Sequence, residues 1–251
     1  MSGLGRMGAK WASLPATLRS VLLQRFSRLS KKGEKGELGQ KGLTMSVHGL
    51  GTMGVAWRSL PSTFRNSLIL ALDRIVPSLN AQEVANVLYG LGKMGLTWTA
   101  LPTKTRSLLC ESITREAWRM TPQGVANSMW GLQLLGVNWK QDLVGVTRTS
   151  LWNGLRREAE RMNEQEVANS IYALAKMNLV FRVIPSDVRK TLLASLTVQL
   201  PLMAPQGVVM VLVGLSKLKV DWLGMSSRLR IRLFSGSDRV LRTGGVDLCT
   251  S

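Results

Sequence analysis

One string of residues recurs along the chain at a nearly constant interval, and this regularity restricts the fold more than any other feature. The string G-L-G-x-M-G-x-x-W-x-x-L-P covers residues 3–15, 49–61 and 90–102. Weaker copies begin at Gly131, Ala173 and Gly214. The aromatic position of the string repeats at spacings of 46, 41, 41, 42 and 41 residues. Tandem units of this length are typical of solenoids, in which each repeat packs only against its neighbours.

Each unit contains two segments with helical periodicity. In the first, which we term helix A, Val84, Leu88 and Leu91 are spaced by four and three residues and form one apolar face. The second, helix B, follows the Leu-Pro pair and is exemplified by residues 103–120. Neither helix can bury its apolar face alone, so the hairpins must stack. The sequence therefore predicts an all-α fold, an α-solenoid of about six stacked helical hairpins of roughly 41 residues each.

The two ends of helix A carry their own signals. Predicted N-caps and first-turn prolines are Asn80, Thr121, Asn163, Pro122 and Pro205. Left-handed residues that end the helix are predicted at Gly8, Gly54, Gly95 and Gly136. The strings GLGRMG, GLGTMG and GLGKMG match GxGxxG, but a dinucleotide site needs these glycines after a strand and before a helix. Because they close a helix here, the pattern argues against a dinucleotide site.

The periodic pattern divides the chain into four parts. Residues 1–30 contain a partial first repeat, residues 31–42 a low-complexity insertion rich in Lys, Glu and Gly, and residues 43–235 the main array. Residues 236–251 are predicted to form a frayed C-terminal tail. The first 33 residues are also basic and contain no acid, as organelle transit peptides do. Since the same stretch includes a copy of the repeat string, both interpretations stay open.

Net charge directs attention to a polyanionic partner. The chain has 33 Lys and Arg residues against 15 Asp and Glu residues, which gives a formal charge of +18. Nucleic acid, an anionic membrane surface or an acidic protein would all match this excess, and surplus charge can also serve solubility alone. The charge therefore leaves these partners open, and the repeat pattern has to choose among them.

Several function classes lack support in the sequence. There is no Ser/His/Asp set, no evident pair of catalytic carboxylates and no cluster of metal ligands, so we expect neither an enzyme nor a cofactor. His48 lies within a helical apolar pattern and is interpreted as a packing residue. Cys110 and Cys249 are isolated, which suits a reducing compartment. The uncharged residues 191–216 are interrupted by Pro201 and are predicted to be two buried helices rather than a membrane span.

The helix A string also suggests a family. Residues 82–95, 123–136 and 165–178 share Q-[EG]-V-A-N-x-[LMI]-[YW]-[GA]-L, and with this string nearly the whole chain resembles the octotricopeptide-repeat proteins of organelles. The resemblance implies an α-solenoid that binds RNA and acts in the maturation, stability or translation of mitochondrial or chloroplast transcripts. Some members of the family are built into organellar ribosomes. The slightly longer unit and the W-x-x-L-P string depart from the family pattern, as does the absence of a nuclease-like domain after the array, which leaves the subfamily open.

Repetition places the candidate binding residues in rows. On helix A, a polar stripe beside the apolar face carries amides and lysines at helical spacing. The members of this stripe are Gln82, Gln123 and Gln165, Asn86, Asn127 and Asn169, and Lys93, Lys176 and Lys217. Helix B adds a series of arginines represented by Arg106, Arg148 and Arg189. Stacked hairpins would align these rows into a groove for a phosphate backbone, with amides available to base edges.

Each row also has a structural interpretation. The asparagines could form a hydrogen-bonded ladder between neighbouring repeats, because buried amides need partners. The arginines could brace the hairpin through carbonyls at the end of helix A, or bind phosphate in bidentate fashion. Trp98 and its equivalents are expected to plug the hairpin bend, and Tyr89, Trp130 and Tyr172 are expected in the core.

Two functions follow from these observations. The first is binding of single-stranded RNA in an organelle by a basic helical-repeat groove. The alternative is a protein scaffold, or a structural subunit of an organellar ribosome or another large assembly, that binds partner helices. Either way, we expect a monomer or a subunit of a larger complex.

Overall fold

The computed structural model describes residues 3, 7–29 and 39–242, except the side chain of Arg239. Helix B is formed by α1 (Ala16–Leu29), α3 (Ser62–Ile75), α5 (Thr103–Glu116), α8 (Gly145–Glu158), α10 (Ser186–Gln199) and α12 (Ser227–Arg242). Helix A is formed by α2 (Gln40–Thr52), α4 (Ala81–Lys93), α6 (Pro122–Leu134), α9 (Glu164–Lys176) and α11 (Pro205–Lys217). The described residues contain no β-strand. Successive helices A contact one another, as do successive helices B, so the chain is an all-α solenoid of stacked hairpins, as predicted.

Short turns join the helices in a regular way. The A–B turn is a 3-10 helix at Trp11–Ser13, Trp57–Ser59, Trp98–Ala100 and Phe181–Val183, and a single α-turn, α7 (Trp139–Asp142), in the fourth repeat. The B–A turn is a 3-10 helix at Val76–Ser78, Ala117–Arg119, Ala159–Arg161 and Leu200–Leu202. All A–B turns therefore lie along one edge of the array, and all B–A turns lie along the opposite edge.

The predicted ends of helix A are confirmed. Asn80 and Asn163 each form a complete capping box with the glutamate three residues later, and Thr121 accepts from the backbone N–H of Gly124. The predicted left-handed glycines have φ between 71° and 73°. After the left-handed Gly95 that follows α4, the N–H of Leu96 donates to the carbonyl of Leu91, which satisfies one of the acceptors left at the helix end.

Helices A pack with unusually close backbones. A Cβ placed on Gly131 would lie 2.5 Å from the backbone carbon of Leu88 in the preceding repeat, and one on Gly90 would lie 2.7 Å from the carbonyl oxygen of Val47. Only glycine allows such an approach. Helices B instead meet through side chains, since Thr105 donates to Asp73 of the preceding helix B at 2.6 Å and Thr147 donates to the carbonyl of Cys110 at 3.3 Å. The A layer is therefore packed backbone against backbone, whereas side chains separate the helices of the B layer.

The aromatic residue of each A–B turn links neighbouring repeats. Its backbone N–H donates to the carbonyl at the end of the following helix A, for example from Trp98 to Leu135 at 2.6 Å and from Trp57 to Met94 at 2.7 Å. Trp98 is 1% exposed, so the predicted role as a plug is confirmed there. Trp222, in the last repeat, is instead 46% exposed, because no described repeat follows to cover it.

A second arginine series, not recognised in the sequence, also joins the repeats. Arg115 donates to the carbonyl of Leu79 in the preceding repeat at 2.7 Å, and Arg157 donates to that of Met120 at 2.8 Å. Each also contacts the carboxylate of the next residue in the chain, at 2.9 Å and 2.6 Å respectively. These arginines have structural partners on both sides. They brace the edge formed by the B–A turns.

The helices cross two of the boundaries predicted between the four parts of the chain. Helix α2 begins at Gln40, inside the predicted insertion, because the Gln40 side chain bonds to the carbonyl and hydroxyl of Ser78 and to Glu83 in the following repeat. Helix α12 continues to Arg242, so the predicted tail starts too early. Its last turns are held by an ion pair between Asp238 and Arg242 at 2.9 Å. Residues 30–38 and 243–251 lie outside the described residues.

Candidate nucleic-acid interface

The exposed face of helix A carries the predicted amide rows. Gln82, Gln123 and Gln165 are exposed in the first turn of their helices, and Asn86, Asn127 and Asn169 are half-buried one turn later. All six lie on one face of the A layer, since each row occupies the same position in its helix. The predicted alignment of these rows across successive repeats therefore follows from the fold.

The asparagine ladder, one of the two interpretations of the Asn row, is wrong. Within the part of the chain that the structure describes, Asn86, Asn127 and Asn169 form no hydrogen bond with another residue. The contact between helices A is filled by small and apolar side chains such as Ala85 and Leu88, both at most 2% exposed, which leaves the amides at its rim. Their donors and acceptors consequently stay available to a ligand.

A row of aromatic rings lies beside the amides. The rings of His48 and Tyr89 stack at 5.5 Å and 26°, and those of Trp130 and Tyr172 pack at 5.7 Å and 36°. The prediction that these tyrosines and Trp130 belong to the core is wrong, because all of them are half-buried and line the exposed face. Partial burial raises the pKa of the Tyr89 phenol above its ordinary value, so the hydroxyl stays protonated at neutral pH.

The predicted lysines lie in the last turn of helix A, at the opposite edge of the layer from the glutamine row. Lys93, Lys176 and Lys217 are exposed in the last turn of α4, α9 and α11. The ammonium of Lys176 lies 5.6 Å from the ring centroid of Tyr172, which connects the lysine row to the aromatic row. A hollow of about 590 Å³ between the last repeats is lined by Lys176, Lys217 and Gln133. These lysines form the cationic rim of the A layer.

The arginines of helix B have mixed partners. Arg148 donates to the carbonyl of Lys140 at 3.1 Å, and the Arg189 guanidinium lies 5.2 Å from the ring centroid of Phe181, so both brace the A–B turn. Arg106 donates to the Thr103 hydroxyl at 3.1 Å, but its Nε is buried without a partner. The bracing interpretation therefore accounts for Arg148 and Arg189 and only in part for Arg106.

The positive charge is concentrated on one edge of the array. We define the basic edge as the last residue of each helix A, the A–B turn, and the first five residues of helix B. Among described residues it carries three acids, Asp142, Asp187 and Asp221. Its cations are Lys10, Arg19, Arg58, Arg65, Lys93, Lys104, Arg106, Lys140, Arg148, Lys176, Arg182, Arg189, Lys190, Lys217, Lys219, Arg228 and Arg230. Seventeen cations minus three acids give this edge a charge of +14, against +18 for the whole chain.

The other edge balances its charges. Three of its arginines are paired with buried carboxylates, Arg115 with Glu116 at 2.9 Å and both Arg157 and Arg161 with Glu158 at 2.6 Å and 3.0 Å. Glutamates also cap the helices A there, as Glu83 and Glu166 do. A polyanion would therefore be attracted to the basic edge and not equally to both sides.

A groove crosses the A layer obliquely between these edges. It has a volume of about 690 Å³ and passes from Thr52 in the last turn of α2, over Asn86 in the middle of α4, to Arg119 just before α6. The amides of Gln82, Gln123 and Asn127 also line it. It connects the C-terminal end of α2 with the N-terminal end of α6, two repeats away.

Other chemistry is not evident in these regions. No group of three or more potential metal ligands occurs among the described residues, and no described helix is long and apolar enough to cross a membrane. The Cys110 thiol is buried, and burial raises its pKa. This cysteine is therefore a packing residue and a poor nucleophile.

Comparisons with known proteins add little to these observations. No protein-family model and no curated protein matches the chain. Among solved structures, the designed armadillo repeat protein YIII(Dq)4CqI is similar at a TM-score of 0.28 and 10% identity, over 94% of this chain and 98% of that one. At that TM-score the likeness carries no argument. The assignment as a helical-repeat solenoid depends on the helices and contacts described above.

Proposed function

We propose that this helical-repeat protein binds single-stranded RNA, with phosphates on the basic edge and bases over the exposed face of helix A. The observation that carries the proposal is the one-sided charge, seventeen cations against three acids along a single edge. Binding to phosphates is driven by such cations and by release of counterions. A flexible strand can follow an edge on which the cations repeat.

The amide rows favour a single strand over a duplex. Asn86, Asn127 and Asn169 have unpaired donors and acceptors at the rim of the A layer. These groups match the Watson–Crick edges of bases, which are free only in unpaired RNA. From Lys93 to Asn86 the helix rises about 10 Å, since each residue contributes about 1.5 Å. A base whose phosphate lies at the lysine row could therefore reach the amide row.

The finer assignment follows the family resemblance. The shared helix A string supports membership among octotricopeptide-repeat proteins, with a role in RNA maturation, stability or translation in a mitochondrion or chloroplast. The basic first repeat is compatible with that location. This part of the proposal depends on the resemblance alone, whereas RNA binding also has the support of the charge distribution.

A salt titration with matched variants tests the proposal. Replacing Lys176 and Lys217 by Ala should weaken binding of a single-stranded RNA at low salt. It should also reduce the slope of log K against log salt by about 1.4, at about 0.7 per phosphate contact in single strands. Filter binding measures both quantities. A control with Arg25 and Arg28 replaced by Ala removes the same charge from the opposite end of a helix B and should keep nearly the full slope. Equal loss in both variants, or binding without salt dependence, would contradict the proposal.

A protein scaffold is the second candidate, and the last repeat favours it. Phe234 and Leu241 are 75% and 78% exposed, at positions where internal repeats bury residues such as Cys110 and Ala159. Exposed apolar side chains of this kind often mark protein contacts. In a complex purified from the native source, ribonuclease treatment that releases the protein supports RNA binding. A complex that stays intact with protein partners alone supports the scaffold.

A further inference from the structure

The turn before α6 exposes an aromatic ring next to the groove. Trp118 is 62% exposed, and the guanidinium carbon of Arg119 lies 4.4 Å from the centroid of its ring. Arg119 in turn lines the groove together with Gln123 and Asn127. Exposure of a large apolar ring to water costs free energy, and contact with a binding partner would recover it.

This ring is specific to one repeat. The middle residue of the B–A turn is Pro77, Glu160 or Pro201 in the other described turns of this kind, and Trp118 is the aromatic one. The residue makes no contribution to the core, in contrast to the A–B turn aromatics such as Trp98. A structural role in stacking the repeats therefore does not explain Trp118.

We propose that Trp118, with Arg119 stacked against it, is a platform for an unpaired RNA base at the end of the oblique groove. The inference rests on the proposed function and adds a specific contact to it. Aromatic rings bind bases through their π-faces, and an adjacent guanidinium adds a cation–π contribution and a contact for phosphate. The groove could deliver a strand to this point, because it runs from Thr52, past Asn86, to Arg119.

The Trp118 ring itself should act on bases and not on phosphates. Besides Arg119, the arginine bonded to this turn is Arg157, which donates to the carbonyls of Ala117 and Met120 and is paired with Glu158, whereas the basic edge lies at the far end of helix A. Loss of the ring should therefore weaken the binding of ligands that contain bases and leave the salt dependence of binding unchanged. This property separates stacking from a general effect on charge.

The test compares two single strands of about twelve nucleotides, a length within the range that one binding module covers. One is oligo(A), and the other is an abasic strand with the same number of phosphates. Trp118→Ala should weaken binding of oligo(A) by about 5-fold to 150-fold, while the abasic strand should bind both forms equally. Trp118→Leu, which keeps an apolar side chain but loses the ring, should behave like the alanine variant. Trp118→Phe should recover part of the affinity.

Phe234→Ala provides the matched control, because this aromatic ring is also exposed but lies on α12, outside both the groove and the basic edge. It should bind oligo(A) like the unmodified protein. Equal affinity of Trp118→Ala and the unmodified protein for oligo(A) would overturn the inference and assign the ring to a protein contact. If Trp118→Ala lost as much affinity for the abasic strand as for oligo(A), the inference would be overturned as well. If neither strand binds in a salt-dependent manner, the proposed function fails and this inference fails with it. If binding depends on the lysines but is unchanged in Trp118→Ala, only this inference is refuted.

Discussion

Replacing Gly131 by alanine tests whether close approach of the helices A holds the array together. The added Cβ would lie 2.5 Å from the carbon, 2.7 Å from the oxygen of the Leu88 carbonyl, and 2.6 Å from the nitrogen of Tyr89. These atoms are backbone, so no rotamer change can remove them. Since carbon atoms in contact are normally about 3.5–4.0 Å apart, α4 and α6 would have to separate by about 1 Å.

The cost follows from two opposing effects. Overpacking of a close interface destabilises proteins by about 1–3 kcal/mol, and a clash with backbone belongs at the upper end of that range. Alanine in place of glycine stabilises a helix by about 1 kcal/mol. The expected net loss is therefore about 2 kcal/mol, which corresponds to a fall in Tm of about 4–8 °C for a chain of this length.

Gly154→Ala is the matched control for this substitution. It also lies inside a helix, but its Cβ would meet its nearest neighbours at 3.4 Å and 3.5 Å, which is ordinary contact. The control should be neutral or stabilise the protein by up to about 1 kcal/mol. Thermal unfolding followed by circular dichroism measures both variants. If Gly131→Ala proved as stable as Gly154→Ala, the reasoning about the A layer would be refuted.

Two further predictions concern helix caps and the buried thiol. Asn80→Ala or Asn163→Ala should lower the stability by about 1 kcal/mol, whereas Ala204→Asn, which adds a cap where none exists, should raise it by a similar amount in thermal unfolding. In a Cys249→Ser background, Cys110 should react slowly with a thiol reagent until the protein unfolds. Because burial raises its folded pKa, the stability it contributes should be complete below the ordinary thiol pKa and fall as the pH rises through the folded pKa; a native thiol as reactive as the unfolded one would refute this.

Local signals determined most of the fold. The N-cap at Asn80 and the left-handed residue at Gly95 depend on contacts within a few residues, so sequence reasoning located them correctly. The start of α2 could not be placed in the same way, since Gln40 is held by Ser78 at the end of its own repeat and by Glu83 of the next one. Contacts between repeats require a known stacking register, which the string itself does not specify.

The candidate site was predictable only in part, for a related reason. The rows of amides and lysines follow from helical spacing. The position of Tyr89 on the exposed face does not follow from helical spacing, because an aromatic residue next to an apolar stripe is also typical of the core. Whether Asn86 pairs with a neighbour depends on the side chains that fill the contact between helices. The exposure of Trp118 had no repeated signal, since the other B–A turns carry different residues there.

The close packing of the A layer and the proposed binding mode depend on one another. Glycines such as Gly90 and Gly131 bring successive helices A into backbone contact. The row of Asn86 and Asn127 therefore advances by one closely packed helix per repeat, while Lys93 and its equivalents follow one edge of the same layer. A ligand with a repeating charge and separate hydrogen-bonding groups can contact both rows at once, whereas a compact anion could contact only one. This correspondence favours a single-stranded polymer over a small phosphorylated ligand.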